Sequence, residues 1–322
     1  MACLNMMFVC LLILGCIWRQ GYGANIDLVE DVIEDVIEEE VAAGGESQPT
    51  FADLSGVEIE DLDKLDENGR TPLMNAAWFA HYEAARHLCK AGADLGVRTA
   101  DGTTALMMAA ERGFAQTVTE MVKHCKNVNE NVNLVTKRGK SALSAAVVGS
   151  FGDVVEQLLK GGADANMVSR EEKSLLMAAK TPAVVMHLIN SGADPNYADT
   201  QGNTALMYAA VLNETDIIHA LMDANADPDA KNKIGNTALM FAASRDEVHT
   251  IRALAERGAS VNIKNRMQES ALELALGKGA SKECLDTLLE VGANFEGTGL
   301  YPSKDVIIKR AAFLEVQRER QT

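Results

Sequence analysis

Residues 204–229 read TALMYAAVLNETDIIHALMDANADPD, and the way this stretch recurs along the chain decides the fold. Its opening block returns at Thr71 (TPLMNAA), Thr104 (TALMMAA), Ser141 (SALSAAV), Ser174 (SLLMAAK), Thr237 (TALMFAA) and Ser270 (SALELAL), with successive spacings of 33, 37, 33, 30, 33 and 33 residues over the whole series. Its closing block returns in phase as HLCKAGAD ending at Asp94, QLLKGGADAN at Asn166, HLINSGADPN at Asn196 and TLLEVGAN at Asn294. The chemistry of each block is that of a helix pair. A Ser or Thr side chain accepts the free N–H groups of a helix start, and Pro72 occupies the first helical position, where a missing N–H costs nothing. Paired alanines let neighbouring helices approach closely. A second helix, such as 83–90 or 154–160, then stops at Gly92 or Gly162, which take the left-handed conformation without Cβ strain. Asn225 can do the same. Cys125 cannot do so cheaply, so the second repeat should end irregularly, with the distortion in the four surplus residues around 127–135.

A period of 33 with both half-motifs in phase resembles the ankyrin repeat. Seven such units cover 66–298. The resemblance implies an all-α solenoid of stacked helix-turn-helix units with short hairpin loops. The fourth position of the block, usually His in that family, is here Met74, Met107, Ser144, Met177, Met207, Met240 and Glu273, so the usual histidine tie to the hairpin is lost throughout. Packed thioethers are expected to replace it. The fourth unit lacks three residues between its helices, at Lys180, Thr181 and Pro182, and should change the local curvature. Ends of such a stack need covers. Residues 299–322 supply a capping helix over 304–318 with Ile307, Ala311 and Leu314 on one stripe. Residues 51–65 supply Phe51, Leu54, Val57, Ile59 and Leu62 at the other end.

Composition narrows function. The 322 residues carry a net charge of −16. Fifteen Asp or Glu against Lys64 alone fall between Asn25 and Asp66. The repeats are only mildly acidic and hold no basic stripe of the kind nucleic acid requires, which removes DNA and RNA as partners. Within 24–50, residues 27–41 place Leu28, Val32 and Val36 beside Val29, Ile33 and Ile37 on one helical stripe, with an acidic opposite face. That segment reads either as a docking helix or as a solvated spacer.

Residues 1–23 read as an export signal, because Met6 to Trp18 is an unbroken apolar run too short to span a bilayer and small residues follow before Ala24. Ile13, Leu14, Gly15 and Cys16 also resemble a bacterial lipobox, with Cys16 the lipidation site. The N-terminal region departs from both patterns in having no Lys or Arg before the apolar run. An uncleaved anchor is the alternative. The expected location is periplasmic, membrane-anchored or extracellular, with the membrane met only through this segment. Beyond it, Cys89, Cys125 and Cys284 are dispersed with no short C-x-x-C spacing, which argues against a disulfide framework or zinc site and leaves them as packing residues.

No catalytic or metal constellation emerges, and no cofactor is implied. The six histidines are spread over five units, with no repeating acid or nucleophile partner. The calcium-like string from Asp223 has Pro228 and Ile234 where the loop needs Gly and Glu. Asn213-Glu214-Thr215 is an N-glycosylation sequon, meaningful for a eukaryotic secretory chain. What remains is a monomeric, non-enzymatic module that binds a protein. An alternative is a membrane-tethered accessory or inhibitor of one client enzyme. In the family's register the residues after the paired alanines face the concave side, which places there Trp78 and Phe79, Glu111 and Arg112, Val147 and Val148, Val211 and Leu212, and Ser244 and Arg245. Beside them Lys137, Arg138, Lys140, Arg170 and Lys173 form a cationic patch on hairpin tips of the third and fourth units. Partner binding is expected along both, although Phe79 could instead pack on the N-terminal cover and the cations could be merely solvated.

Overall fold

A computed structural model describes residues 62–294. The export signal, the acidic segment 27–41, most of the N-terminal cover and the C-terminal capping helix lie outside these residues. Leu62, the last of the apolar residues named for the expected cover, is buried. Among the described residues the regular structure is helical, apart from isolated bridges between Val135 and Ser141 and between Val168 and Ser174.

The helices come in pairs: α1 (Pro72–Trp78) with α2 (Tyr82–Ala91), α3 (Ala105–Glu111) with α4 (Ala115–His124), α6 (Ala142–Val148) with α7 (Gly152–Lys160), and α8 (Leu175–Ala178) with α9 (Pro182–Asn190). Then follow α10 (Ala205–Leu212) with α11 (Thr215–Asp223), α12 (Ala238–Ser244) with α13 (Val248–Glu256), and α14 (Ala271–Lys278) with α15 (Lys282–Glu290). A single extra turn, α5 (Val128–Asn131), absorbs the surplus of the second unit. First helices pack on first helices of the next unit and second on second, so each unit buries its apolar faces between its neighbours.

Five of the seven starts are capped as their sequence requires, whereas Ser174 and Thr204 make no side-chain cap bond and keep buried hydroxyls without a hydrogen-bond partner among the described residues. Thr71, Thr104, Ser141, Thr237 and Ser270 each accept the N–H three residues on, worth about 1 kcal/mol apiece. Met74, Met107, Met207 and Met240 are buried at the fourth position, as thioether packing requires. In the third and seventh units Ser144 and Glu273 answer back to the N-cap N–H, forming reciprocal capping boxes, so a side-chain tie survives there in another form. Asn225 adopts φ 61°. Cys125 ends α4 in extended backbone at φ −75°, ψ 131° instead of the left-handed stop.

Each unit opens with the same turn. The N–H of Asp66, Thr99, Thr136, Ser169, Asp199, Asn232 and Asn265 donates to the carbonyl four residues on, at 2.8–3.0 Å. The side chains at several of these positions in turn accept N–H groups inside the turn, as Asn232 does from Ile234 and Asn236. Units are then clipped together. Asn133, Asn166, Asn196 and Asn262 each accept from a backbone N–H of the next unit and donate to a carbonyl there.

The expectation for two of the cysteines fails. Cys89 and Cys125 are not packing residues but a disulfide across 36 residues. Local C-x-x-C spacing was the wrong measure: in a repeat fold, positions about one period apart are neighbours in space. Cys284 does remain a buried thiol.

Candidate functional site

The truncated fourth unit borders a concavity among the described residues. Helix α8 is one turn long, since Ala179 leaves it in extended backbone (φ −68°, ψ 133°) and Thr181 caps the next helix with Pro182 behind it. Neighbouring first helices have seven or eight residues. Val148, at the end of α6 beside this short helix, is 57% exposed. Between α6, α8 and their hairpin tips lies a groove of about 470 Å³. Met167, Leu175, Ala178 and Val148 line it, with Arg138, Lys140, Arg170 and Lys173 around it.

Five of the residues singled out in the sequence therefore meet in one place. Their electrostatic states differ. Lys140 Nζ sits 2.6 Å from Glu111, and Lys173 Nζ 2.9 Å from Glu171. The hydrogen bond from Lys173 to Glu171 holds its ammonium above the ordinary lysine range, and Tyr208, whose ring lies 5.6 Å away, adds to this. Tyr208 in turn donates to Asp199 at 2.9 Å. Burial, followed by that bond, raises the Tyr208 phenol. Burial would also raise Asp199, but hydrogen bonds from the Asn203 and Gln201 N–H groups, the Asn203 amide and the Tyr208 hydroxyl hold its carboxyl below the usual range. Arg138 and Arg170 have no carboxylate within salt-bridge reach among the described residues.

The other sequence-derived positions are spread along the units. Trp78, half-buried at the end of α1, lies between the guanidinium groups of Arg70 and Arg112, each 4.6 Å from its ring. Arg112 also covers Phe114 at 5.3 Å. Phe79 is half-buried, with its ring 6.3 Å from that of His81. Leu212 is 59% exposed and Arg245 is exposed, each at or just past the end of its helix. Val147 does not share the face with Val148: it is fully buried, because successive helical residues point about 100° apart and only one of the pair can face outward. Lys137 is exposed on its tip, where its backbone N–H donates to Asp101 of the preceding unit. Asn213 is exposed in the turn after α10 at φ 59°.

Sequence reasoning missed Tyr208, Met167 and the carboxylate Glu171, and it placed Glu111 on the concave side without pairing it to Lys140. The short spacing of 30 residues is the signal in the sequence that marks this place. Among the described residues no cluster of His, Cys, Asp or Glu could hold a metal ion, and no helix is long and apolar enough to cross a membrane.

Known proteins share this pattern. The chain is 30% identical over 159 residues to a putative ankyrin repeat protein, L371, of Acanthamoeba polyphaga mimivirus, a match covering 47% of this chain and 20% of that protein. It is 30% identical over 158 residues to the ankyrin repeat and KH domain-containing protein mask-1 of Caenorhabditis elegans, covering 48% and 6% respectively. A third relative, the E3 ubiquitin-protein ligase KEG of Arabidopsis thaliana, matches at 32% over 127 residues, only 8% of its length. The chain thus spans a minor part of each of these proteins. In structure it is similar to the human ASB11 ankyrin repeat domain, with a TM-score of 0.58 and 24% identity over 70% of this chain and all of that one. Family models described as ankyrin repeats match residues 91–169, 145–232 and 214–298 in three copies, and a further one matches 59–113. The chain belongs to the ankyrin-repeat family.

Proposed function

We propose that this protein is an exported, non-catalytic interaction module that binds a partner protein through the concave ends of its first helices and the hairpin tips of its third and fourth units. The observation that carries this reading is the convergence of Val148 with Arg138, Lys140, Arg170 and Lys173 on one groove. An exposed apolar side chain ringed by cations is a surface with an unmet partner, since single exposed residues are ordinary but a concave cluster is not. Export is supported by the apolar run over residues 6–18 and by the Cys89–Cys125 disulfide, because such bonds persist chiefly outside reducing compartments. Ankyrin repeats act as interaction scaffolds, which agrees with the lack of any catalytic constellation in the sequence.

The test is cross-linking in the native compartment followed by affinity purification. A discrete protein recovered with the wild type, and lost when Val148 and Leu212 are both replaced by Asp, is the expected result. Recovery of nothing above background would contradict the reading.

A further inference from the structure

We infer that the groove between α6 and α8 receives an acidic linear segment of the partner, with an apolar side chain seated against Val148 and Leu175 and carboxylates held by Arg138 and Arg170. This inference rests on the interaction-module reading and adds the chemistry of what binds.

Three observations select that occupant. First, the groove is concave and its floor is chiefly hydrocarbon, with a volume of about 470 Å³, which falls in the range of pockets that enclose small ligands or a few side chains. A floor of this kind offers nothing to a sulfated sugar, which has no apolar side chain to bury. Second, the rim is cationic, and its cations are not equivalent. Lys140 and Lys173 are already committed to Glu111 and Glu171, whereas Arg138 and Arg170 are exposed with no carboxylate in reach among the described residues. Guanidinium groups pair with carboxylates in a two-pronged geometry that a lysine cannot match. Third, the groove lies beside the one-turn α8, in the unit that the sequence shortens by three residues. An acidic ligand is not turned away by the net charge of −16. At the groove itself four cations, Arg138, Lys140, Arg170 and Lys173, line the rim against one carboxylate, Glu171.

The experiment pans a phage-displayed library of random linear peptides on the disulfide-intact chain. A selected peptide is then measured by fluorescence anisotropy against variants. Selected sequences should carry Asp and Glu flanking Leu, Ile, Met or Phe. Their affinity should fall by ~tenfold or more for Arg138→Glu with Arg170→Glu and for Val148→Asp, and should weaken with added salt. Met267→Glu, on the exposed tip of the seventh unit, should leave binding unchanged. Helicity and melting temperature, matched to wild type, establish that each variant is folded, and the two groove substitutions test the rim and the floor separately. Selection of basic or uncharged peptides, recovery of none, or binding indifferent to both groove variants would overturn the inference. So would heparin binding that competes with the peptide and is lost in the arginine variant but kept in Val148→Asp, because the site would then serve anionic glycans. The native partner separates the two levels: if it binds the groove variants normally yet is lost on Trp78→Ala, the module reading stands and the groove is not its site, whereas no partner at all removes the module reading itself.

Discussion

Cys89, on the second helix of the first unit, is bonded to Cys125, just past the second helix of the next. The bond crosses the junction between two units that otherwise hold together by packing, and it sits where α4 ends without a glycine stop. Closing a loop with a sequence separation of 36 residues removes denatured-state entropy worth about 4 kcal/mol in the chain-entropy model. Replacing both cysteines by serine should therefore lower the unfolding free energy by about 2–4 kcal/mol, read from urea melts. Reductant should destabilise the wild type and leave the double variant unchanged. Equal stability of the two proteins in oxidising buffer would mean the bond does not stabilise the junction.

The thiols also report on export. Protein purified from its native host should have an intact mass matching a start at Ala24, or a lipid-modified Cys16, and should be lighter by the two hydrogens of the disulfide. Cys284 should resist alkylation in the folded state, because burial first, and the neighbouring Asp246 second, push its thiol up to about 12. An unprocessed, fully reduced chain from the cytoplasm would contradict the export proposal.

Asn196 joins the fourth unit to the fifth by accepting from the Asp227 N–H at 2.7 Å and donating to the Asn225 carbonyl at 3.2 Å. Asn196→Ala removes both bonds at an exposed site, and should cost about 1–2 kcal/mol. Because coupling in a repeat array is between neighbours, that loss should also broaden the unfolding transition. Coincident two-state melts at unchanged midpoint would show that packing alone couples the units.

Asp199 gives a pH dependence. Its folded carboxyl is held below the ordinary value of 3.8, so its contribution is full above that value and is lost as pH falls through the lower folded one. Asp199→Asn should cost about 1 kcal/mol near neutral pH through weakened bonds to Tyr208 and the turn. The gap from wild type should close under acid, measured by melts across the carboxylate range. A gap that stayed constant with pH would show that the ionised form is not what the fold favours.

The sequence was most legible where one residue type has one job repeated. Five of the seven capping Thr and Ser, the paired alanines and the buried methionines each predicted their own environments, and Asn225 took the left-handed backbone expected of it, while Ser174 and Thr204 cap nothing. Legibility failed where the job depends on a neighbour one period away. The disulfide is invisible to local spacing, whereas the caps made by Ser144 and Glu273 are local, three residues from Ser141 and Ser270. The concave register was half right for the third unit, since Val148 is exposed there while Val147 belongs to the core.

The partner recovered by cross-linking provides the most direct test of the central claim, that this surface binds a protein. Its dissociation constant should be measured for wild type, for Trp78→Ala, and for Lys137 and Arg138 both changed to Glu, with helicity confirmed unchanged. Trp78 is already fixed between two guanidinium groups, so it meets a partner with little conformational cost, and its loss should weaken binding by about 2 kcal/mol. The charge reversal should act mainly by slowing association and reducing its dependence on salt. Wild-type affinity and association rate in both variants would contradict the account.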